Sequence, residues 1–458
     1  MRAHRLTATA LVGLGLGLGL GACSGKPKES RQVGSSAPHD LDLGAPHHAT
    51  TVVPTDAAPS VGEDAQPQLP EPAIPTAPAQ LESGGVDFID DARLLFRVAA
   101  CADAGTPLPD AVGHGDPKVA AVVASHCKRV LAQVTKFRAS YFGAGPRRAW
   151  FDALVPADVP TTVVYPFGGG DLLSALVAFP RATEITTISL EQGGDPRRLR
   201  TLDVRALETS LSAFRTQIGG LVQVGSNTSV NLMAQMRNDL PAQASSFLLA
   251  LVVAGATPVS MKYFTLDAAG AIHYVTQAEI DAADAKGKAG AKELKGDWGS
   301  PNFSEAFGNV EITYTVPGDA VPRVHRHFGW NLGNEYLAKH PELVTHLAAK
   351  GRVTVLVKGA SYLLWRGDFS TIRDYLTSHL AWMLSDSTGI PPVYAKRAGM
   401  VQIPYGEYHG AFLQGAQGTA TDTEFVDLWA SGHPRSLAFR FGYTDADKHG
   451  HLLVTRPK

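Results

Sequence analysis

The chain predicts an α/β fold: a three-layer sandwich on a mixed, mainly parallel sheet, preceded by a helical segment. Short β-branched runs such as TTVVYPF (161–167) and RVTVLVKGASYLL (352–364) alternate with amphipathic stretches of helical period. Those runs are apolar almost throughout, as strands covered on both faces are. A few neighbouring runs joined by tight turns, such as TPVSMKYFTLD and AIHYVT around Ala268-Ala269-Gly270, add antiparallel pairs. Helices long enough to cross over a sheet, between strands of this kind, define the layered class.

Taken in order, residues 1–22 have the parts of an export signal: Arg2 and Arg5, an apolar run from Leu6 to Leu20, and small residues before Cys23. The run is short and interrupted by glycine, unlike a membrane span. Leu20-Gly21-Ala22-Cys23 resembles the bacterial lipobox. That resemblance implies cleavage before Cys23, a diacylglycerol on its thiol, and, with Ser24 following, the outer membrane. The bland alternative is a plain signal with a chance cysteine. Residues 23–85 are rich in Pro, Ala, Ser, Thr and His and bear few large apolar side chains. Such a segment cannot offset its ordering entropy and is expected to be a tether, with His47 and His48 solvated rather than ligating.

Residues 86–160 read as a helical segment. ARLLFRVAACADAG and DPKVAAVVASHCKRVLAQV both show helical spacing, with the turn-rich GTPLPDAVGHGDP between them. With Cys23 acylated, Cys101 and Cys127 remain as an even pair in an oxidising space, which predicts a disulfide against the alternative of two buried thiols. Closing that loop is worth about 3 kcal/mol in the chain-entropy account.

From 161 to 458 the α/β domain begins with strand TTVVYPF, the turn Gly168-Gly169-Gly170, a helix LLSALVAF capped by Asp171, and strand EITTISLE. DVRALETSLSAFRTQIGG and SVNLMAQMRNDLPAQASSFLLALVVAG follow as helices. AEIDAADAKGKAGAKELKGDWGSP reads as an exposed insertion, and NVEITYTV and RVHRHFGWNL as strands. NEYLAKHPELVTHLAAKG is expected to be one helix ending on glycine. After strand RVTVLVKGASYLL come the amphipathic helix FSTIRDYLTSHLAWMLSD and the late strand MVQIPYGEY.

The opening crossover has the shape of a nucleotide site, in which glycines admit a pyrophosphate and an acid after the next strand takes ribose hydroxyls. Gly168, Gly170 and Glu191 fit, but Leu173 stands at the third glycine position. Strand, glycine turn, helix and strand-acid together resemble a Rossmann-like methyltransferase core that uses S-adenosylmethionine. Tyr165-Pro166-Phe167 brings no acid to the end of the first strand, and cytosolic coenzymes are not solutes an exported chain meets. The expectation is therefore a Rossmann-like scaffold put to another use, with no cofactor.

The motifs YPFGGGD, VKGASYLL, SDSTGIPP and IPYGEY, spread over 161–412, resemble those of a functionally uncharacterised family of bacterial exported proteins and lipoproteins. This chain departs from the family pattern by Thr388 between Ser387 and Gly389 and by Gly359 before Ala360. The resemblance implies export and lends no reaction. Physically, the strand ends place a cleft near Tyr165, Gly168, Gly170, Asp171, Glu191, Lys358, Tyr362 and Arg366, and these are the candidate ligand contacts. Lys358, Ser361, Asp171 and Glu191 are the candidates for catalysis. KGASYLL lacks the second glycine of G-x-S-x-G and reads as strand past Ser361, unlike a nucleophile elbow. A serine packed in a strand is the plainer alternative.

His325 and His327 alternate on one strand face shared with Arg323, and His449 and His451 flank Gly450. They are weak metal candidates, since no partner carboxylate is identified, and no metal is assigned. Asp386, Ser387 and Gly389 read as a helix-ending turn. Tyr405, Tyr408 and Trp365 suit a sugar shelf or, more simply, the core. Glu407 and Asp427 show no glycosidase partner. Basic and acidic residues number 41 and 43, so no field attracts nucleic acid. The sequence thus predicts a lipid-anchored envelope protein binding a small molecule, glycan or partner protein, with an envelope hydrolase or transferase as the alternative.

Overall fold

In the computed structural model the residues described are 84–103, 106–110, 112–224, 240–289, 305–410, 419–445 and 447–458. Residues 1–83 lie outside them, and with them the signal, Cys23 and all but the end of the tether. The strands are β1 (Thr162–Pro166), β2 (Glu184–Ser189), β3 (Thr257–Leu266), β4 (Ile272–Tyr274), β5 (Asn309–Thr315), β6 (Arg323–Gly329), β7 (Val353–Val357), β8 (Leu380–Ser385), β9 (Met400–Gly406) and β10 (His451–Pro457). They form one sheet in the order β4-β3-β5-β6-β2-β1-β7-β8-β10-β9.

The strands β6, β2, β1, β7 and β8 run parallel to one another at the centre. Both margins are antiparallel: β5, β3 and β4 on one side, β10 and β9 on the other. Parallel pairing is therefore confined to the centre, a correction to the expectation of a mainly parallel sheet. The cause lies in the connections, because the short links β3–β4 and β5–β6 permit only antiparallel return.

Two helical layers cover the sheet. On one face lie α1 (Ile89–Val98), α2 (Val119–Tyr141), α3 (Pro146–Leu154), α4 (Leu172–Ala178), α5 (Val204–Val224) and α6 (Ala242–Ala254), packed on Val163, Tyr165 and Ile185. A further helix, α7 (Gln277–Ala289), follows β4. On the other face lie α8 (Asn334–Lys339), α9 (Glu342–Ala348), α10 (Ser370–His379) and α11 (Pro392–Arg397), packed on Val164, Val355 and Val357. Alternate residues of β1 thus serve opposite layers, as the two-residue period requires. The last helix, α12 (Thr419–Ser431), packs through Phe425 and Trp429 against Tyr408 and Leu453. Among the described residues no helix is long and apolar enough to cross a membrane.

Several expectations change on contact with the structure. The stretch FSTIRDYLTSHLAWMLSD divides into α10 and the buried strand β8. Pro341 splits the expected single helix into α8 and α9, since its ring forbids the continuing hydrogen bond. Part of the expected exposed insertion forms α7, while 290–304 lie outside the described residues, as do 225–239. The stretch HLLVTRP is β10 and fills the sheet between β8 and β9.

Cys101 and Cys127 are disulfide-bonded, with Cα atoms 5.3 Å apart, as their pairing in sequence predicts. Cys127 lies in α2, but Cys101 lies beyond the end of α1 with φ of 64° rather than inside a helix. The bond joins this turn to α2 within the same core that covers β1.

Candidate functional site

Strand β1 sits where the order reverses, with β2 on one side and β7 on the other. A crevice is expected outside the carboxyl ends of strands at such a point. The chain after β1 turns through Phe167, φ 61°, and Gly169, φ 51°. Gly168 N–H donates to Ile188 O at 3.0 Å, tying the turn to the end of β2. Asp171 then caps α4, accepting from Ser174 N–H at 3.0 Å, as the sequence predicts.

After β7 the chain places Lys358 Nζ 2.7 Å from Asp171 Oδ2. Tyr165 O–H donates to the same oxygen at 3.1 Å. Burial first, then the Asp171 carboxylate, push the Tyr165 phenol well above its usual value, so it remains a donor. Phe441 covers the ammonium, its ring centre 5.2 Å away. Three of the candidate residues, Tyr165, Asp171 and Lys358, therefore converge, but on one another. Their charges cross-link the ends of β1 and β7 in a dry setting.

Ser361 and Tyr362 both have positive φ, 50° and 56°, just past β7. The serine is thus in a strained turn, not in a strand as expected, and its Oγ lies 3.4 Å from Tyr443 Oη. Such strain costs about 1–3 kcal/mol per residue and gathers where surrounding structure imposes it. Asp386 supplies the constraint. Its fully buried carboxylate accepts from Gly359 N–H at 2.9 Å, Tyr443 N–H at 2.8 Å and Thr388 N–H at 2.8 Å. The Asp386-Ser387-Thr388-Gly389 turn therefore ends a strand, not a helix, and it holds three chain segments together. Tyr362 Oη and His451 Nε2 each meet Ser387 Oγ at 2.9 Å. Arg366 stands apart: it is exposed and paired with Asp368 at 2.8 Å, so it is no neighbour of the Asp171–Lys358 pair.

Glu191 occupies a different environment at the end of β2. It is 6% exposed, and among the described residues neither carboxylate oxygen has a hydrogen-bond partner. Backbone links tie down its neighbours in the chain. Trp330 N–H donates to Ser189 O at 2.6 Å, and Ala244 N–H, in the first turn of α6, reaches Gly193 O at 3.3 Å. The side chain of Gln243, 2% exposed, also has both polar atoms unpartnered. It borders the glycine turn, since a Cβ on Gly170 would lie 2.5 Å from Gln243 Oε1.

His325 and His327 share a face, as their alternation predicts, and that face lies in the core. Thr187 Oγ lies 2.9 Å from His325 Nε2 and 2.9 Å from His327 Nδ1, and His327 Nε2 donates to Glu191 O at 2.8 Å. The donors run in one direction: His325 Nε2–H to Thr187, Thr187 O–H to His327 Nδ1, and His327 Nε2–H to the Glu191 carbonyl. Burial holds both rings neutral, lowering His327 to about 4 and His325 well below its usual value. Phe247 packs on each ring, at 4.4 and 4.9 Å between centres. This relay fixes the backbone of Glu191, and among the described residues His325 and His327 belong to no cluster that could hold a metal. Its signal in the sequence is the two-residue spacing of His325 and His327, which puts both rings on one face of the strand.

A cavity at the opposite, amino-terminal end of β1 is lined by Arg148, Phe151, Thr161, Val163, Phe179 and Arg181. Its guanidinium groups are already used by Asp152, Val177 O and Pro156 O. It meets none of the residues at the carboxyl ends. Tyr405 and Tyr408 are buried, and Trp365 packs beside Phe425, so these aromatic rings form core and no shelf for a sugar. Comparison of the chain with family models, with curated proteins and with solved structures gives no match.

Proposed function

We propose that the chain is a membrane-anchored bacterial lipoprotein that binds an envelope ligand at the carboxyl ends of β1 and β2. The observation that carries this reading is Glu191, a buried carboxylate with no partner on either oxygen, at the end of β2. Leaving such a group unpaired is costly, and a ligand supplying hydroxyl or ammonium donors would repay that cost. The free amide of Gln243 can add one donor and one acceptor. A polyhydroxylated small molecule or glycan end fits this set, and the lipobox-like Cys23 supports an envelope address.

Binding is favoured over acid–base catalysis because Asp171 and Lys358 neutralise each other inside the fold. The alternative of an envelope hydrolase or transferase rests on Ser361, held half-buried in a strained turn beside Tyr443. Native mass spectrometry of the full chain, extracted gently from envelopes in detergent, tests the proposal. A co-purifying polar ligand, lost in Glu191→Ala and retained in Ser361→Ala, is expected. A ligand retained equally by all three proteins would place binding elsewhere.

A further inference from the structure

Beyond the crevice, β9 ends at Gly406 and continues through Glu407 and Tyr408 to His409, which faces the loop preceding β10. From these two segments we infer a binding site for a divalent transition-metal ion, held by His409, Asp445, Asp447 and His449, with zinc as the expected occupant. One ligand atom from each residue lies within 4.8 Å of all the others. His409 Nδ1 is 3.2 Å from Asp447 Oδ2 and 3.7 Å from Asp445 Oδ2, and His449 Nδ1 is 3.1 Å from Asp445 Oδ2. Donors about 2.0–2.1 Å from a tetrahedral zinc stand ~3.3 Å from one another. The three separations of 3.1, 3.2 and 3.7 Å bracket that spacing.

The donor types select the ion. Two imidazoles with two carboxylates suit zinc and its first-row neighbours, whereas calcium and magnesium take oxygen. Asp445 is pre-positioned: its side chain is 0% exposed and accepts from His409 N–H at 3.0 Å and from His449 N–H at 2.6 Å. On the other side of the His449 ring, Glu407 Oε2 lies 3.4 Å from Nε2. A carboxylate beside Nε2 favours the proton there and leaves Nδ1 facing the cluster, as outer carboxylates do for ligating histidines. Asp447 and His409 have side chains 63% and 53% exposed, so an ion can enter from solvent. With four protein donors the site is closed in the manner of a structural ion. It clamps the end of β9 to the loop that carries Tyr443, neighbour of Ser361.

Titration calorimetry tests this with the full chain in detergent, freed of metal by chelator and carrying His47→Ala and His48→Ala to silence the paired histidines of the amino-terminal segment. One zinc per chain is expected. His409→Ala and His449→Ala should each weaken binding about 100-fold or more, and Glu407→Gln about 10–100-fold, as loss of an outer partner does. His340→Ala, outside the cluster, should leave affinity unchanged. Cobalt(II) added to the parent chain should give the strong visible bands of a tetrahedral ion, a readout that needs no variant. A cobalt spectrum like that of the aqueous ion, or zinc affinity unchanged in the His409→Ala/His449→Ala double variant, would overturn the assignment.

Discussion

The Asp171–Lys358 pair shows how one contact can decide between chemistries. Each residue alone, at a strand end beside a glycine turn, looks like an acid or base awaiting substrate. Buried together at 2.7 Å they stabilise two opposite charges in a dry site. Removing one partner strands the other, so Lys358→Met or Asp171→Asn should each lose about 3–5 kcal/mol, while the double variant recovers most of it. Urea unfolding of the four proteins measures this coupling; simple additivity would show that the pair is not the contact described.

Titration adds a second residue-scale prediction. His327 has a folded value of about 4 against 6.5 in the ordinary case, because burial opposes its charge. The unfolded chain therefore binds the extra proton first, and stability should fall as pH drops from 6.5 to 4, by up to about 3 kcal/mol from this ring alone. Glu184 acts in a lower window. Burial pushes its carboxyl up, but Lys350 and Arg326 together hold it down at about 2, so its contribution is present above 4.5 and lost as pH falls towards 2. Burial also lowers Lys350, which offsets part of that gain. Urea midpoints from pH 7 to 3 check the sign; a flat profile between 6.5 and 4 would contradict neutral buried rings.

At the scale of elements, legibility followed the length and uniformity of each signal. The β1–α4–β2 crossover was readable because its strands, glycine turn and Asp171 cap are consecutive and each obeys a local rule. Strand β8 is not, since LAWMLS follows the amphipathic α10 with no break between them, and a buried strand of six residues carries no period of its own. Strand β10 is illegible for a related reason: its pairing partners, β8 and β9, are distant in sequence, and only the assembled sheet shows the slot between them. The ligand and metal candidates divide the same way. Glu191 was visible by its position after a strand, whereas Asp445 and His409 meet only through folding. The disulfide is an element-scale feature too, tying the turn after α1 to α2 across a separation of 26 residues. Reduction should lower stability by about 3 kcal/mol. Denaturant curves with and without reductant, compared with Cys101→Ala/Cys127→Ala, measure it; no loss on reduction would mean that the segment is held by packing alone.

For the whole molecule, a doubly wound parallel centre with antiparallel margins is a scaffold that hosts many activities, so function has to be read from the site. The proposed lipid anchor predicts that full-length protein carries added acyl mass and partitions into membranes, and that Cys23→Ser abolishes both. Intact-mass measurement of the two proteins decides this, an unmodified wild-type chain contradicting it. The central proposal, a ligand crevice at the end of β2, rests on a carboxylate that folding buries but does not satisfy. Its most direct test is the unfolding free energy of ligand-stripped protein against Glu191→Gln at neutral pH. Replacing an unpaired buried carboxylate should make the variant more stable by about 1–3 kcal/mol. A variant that is less stable than the parent would mean that the fold itself satisfies Glu191, and that no ligand is needed there.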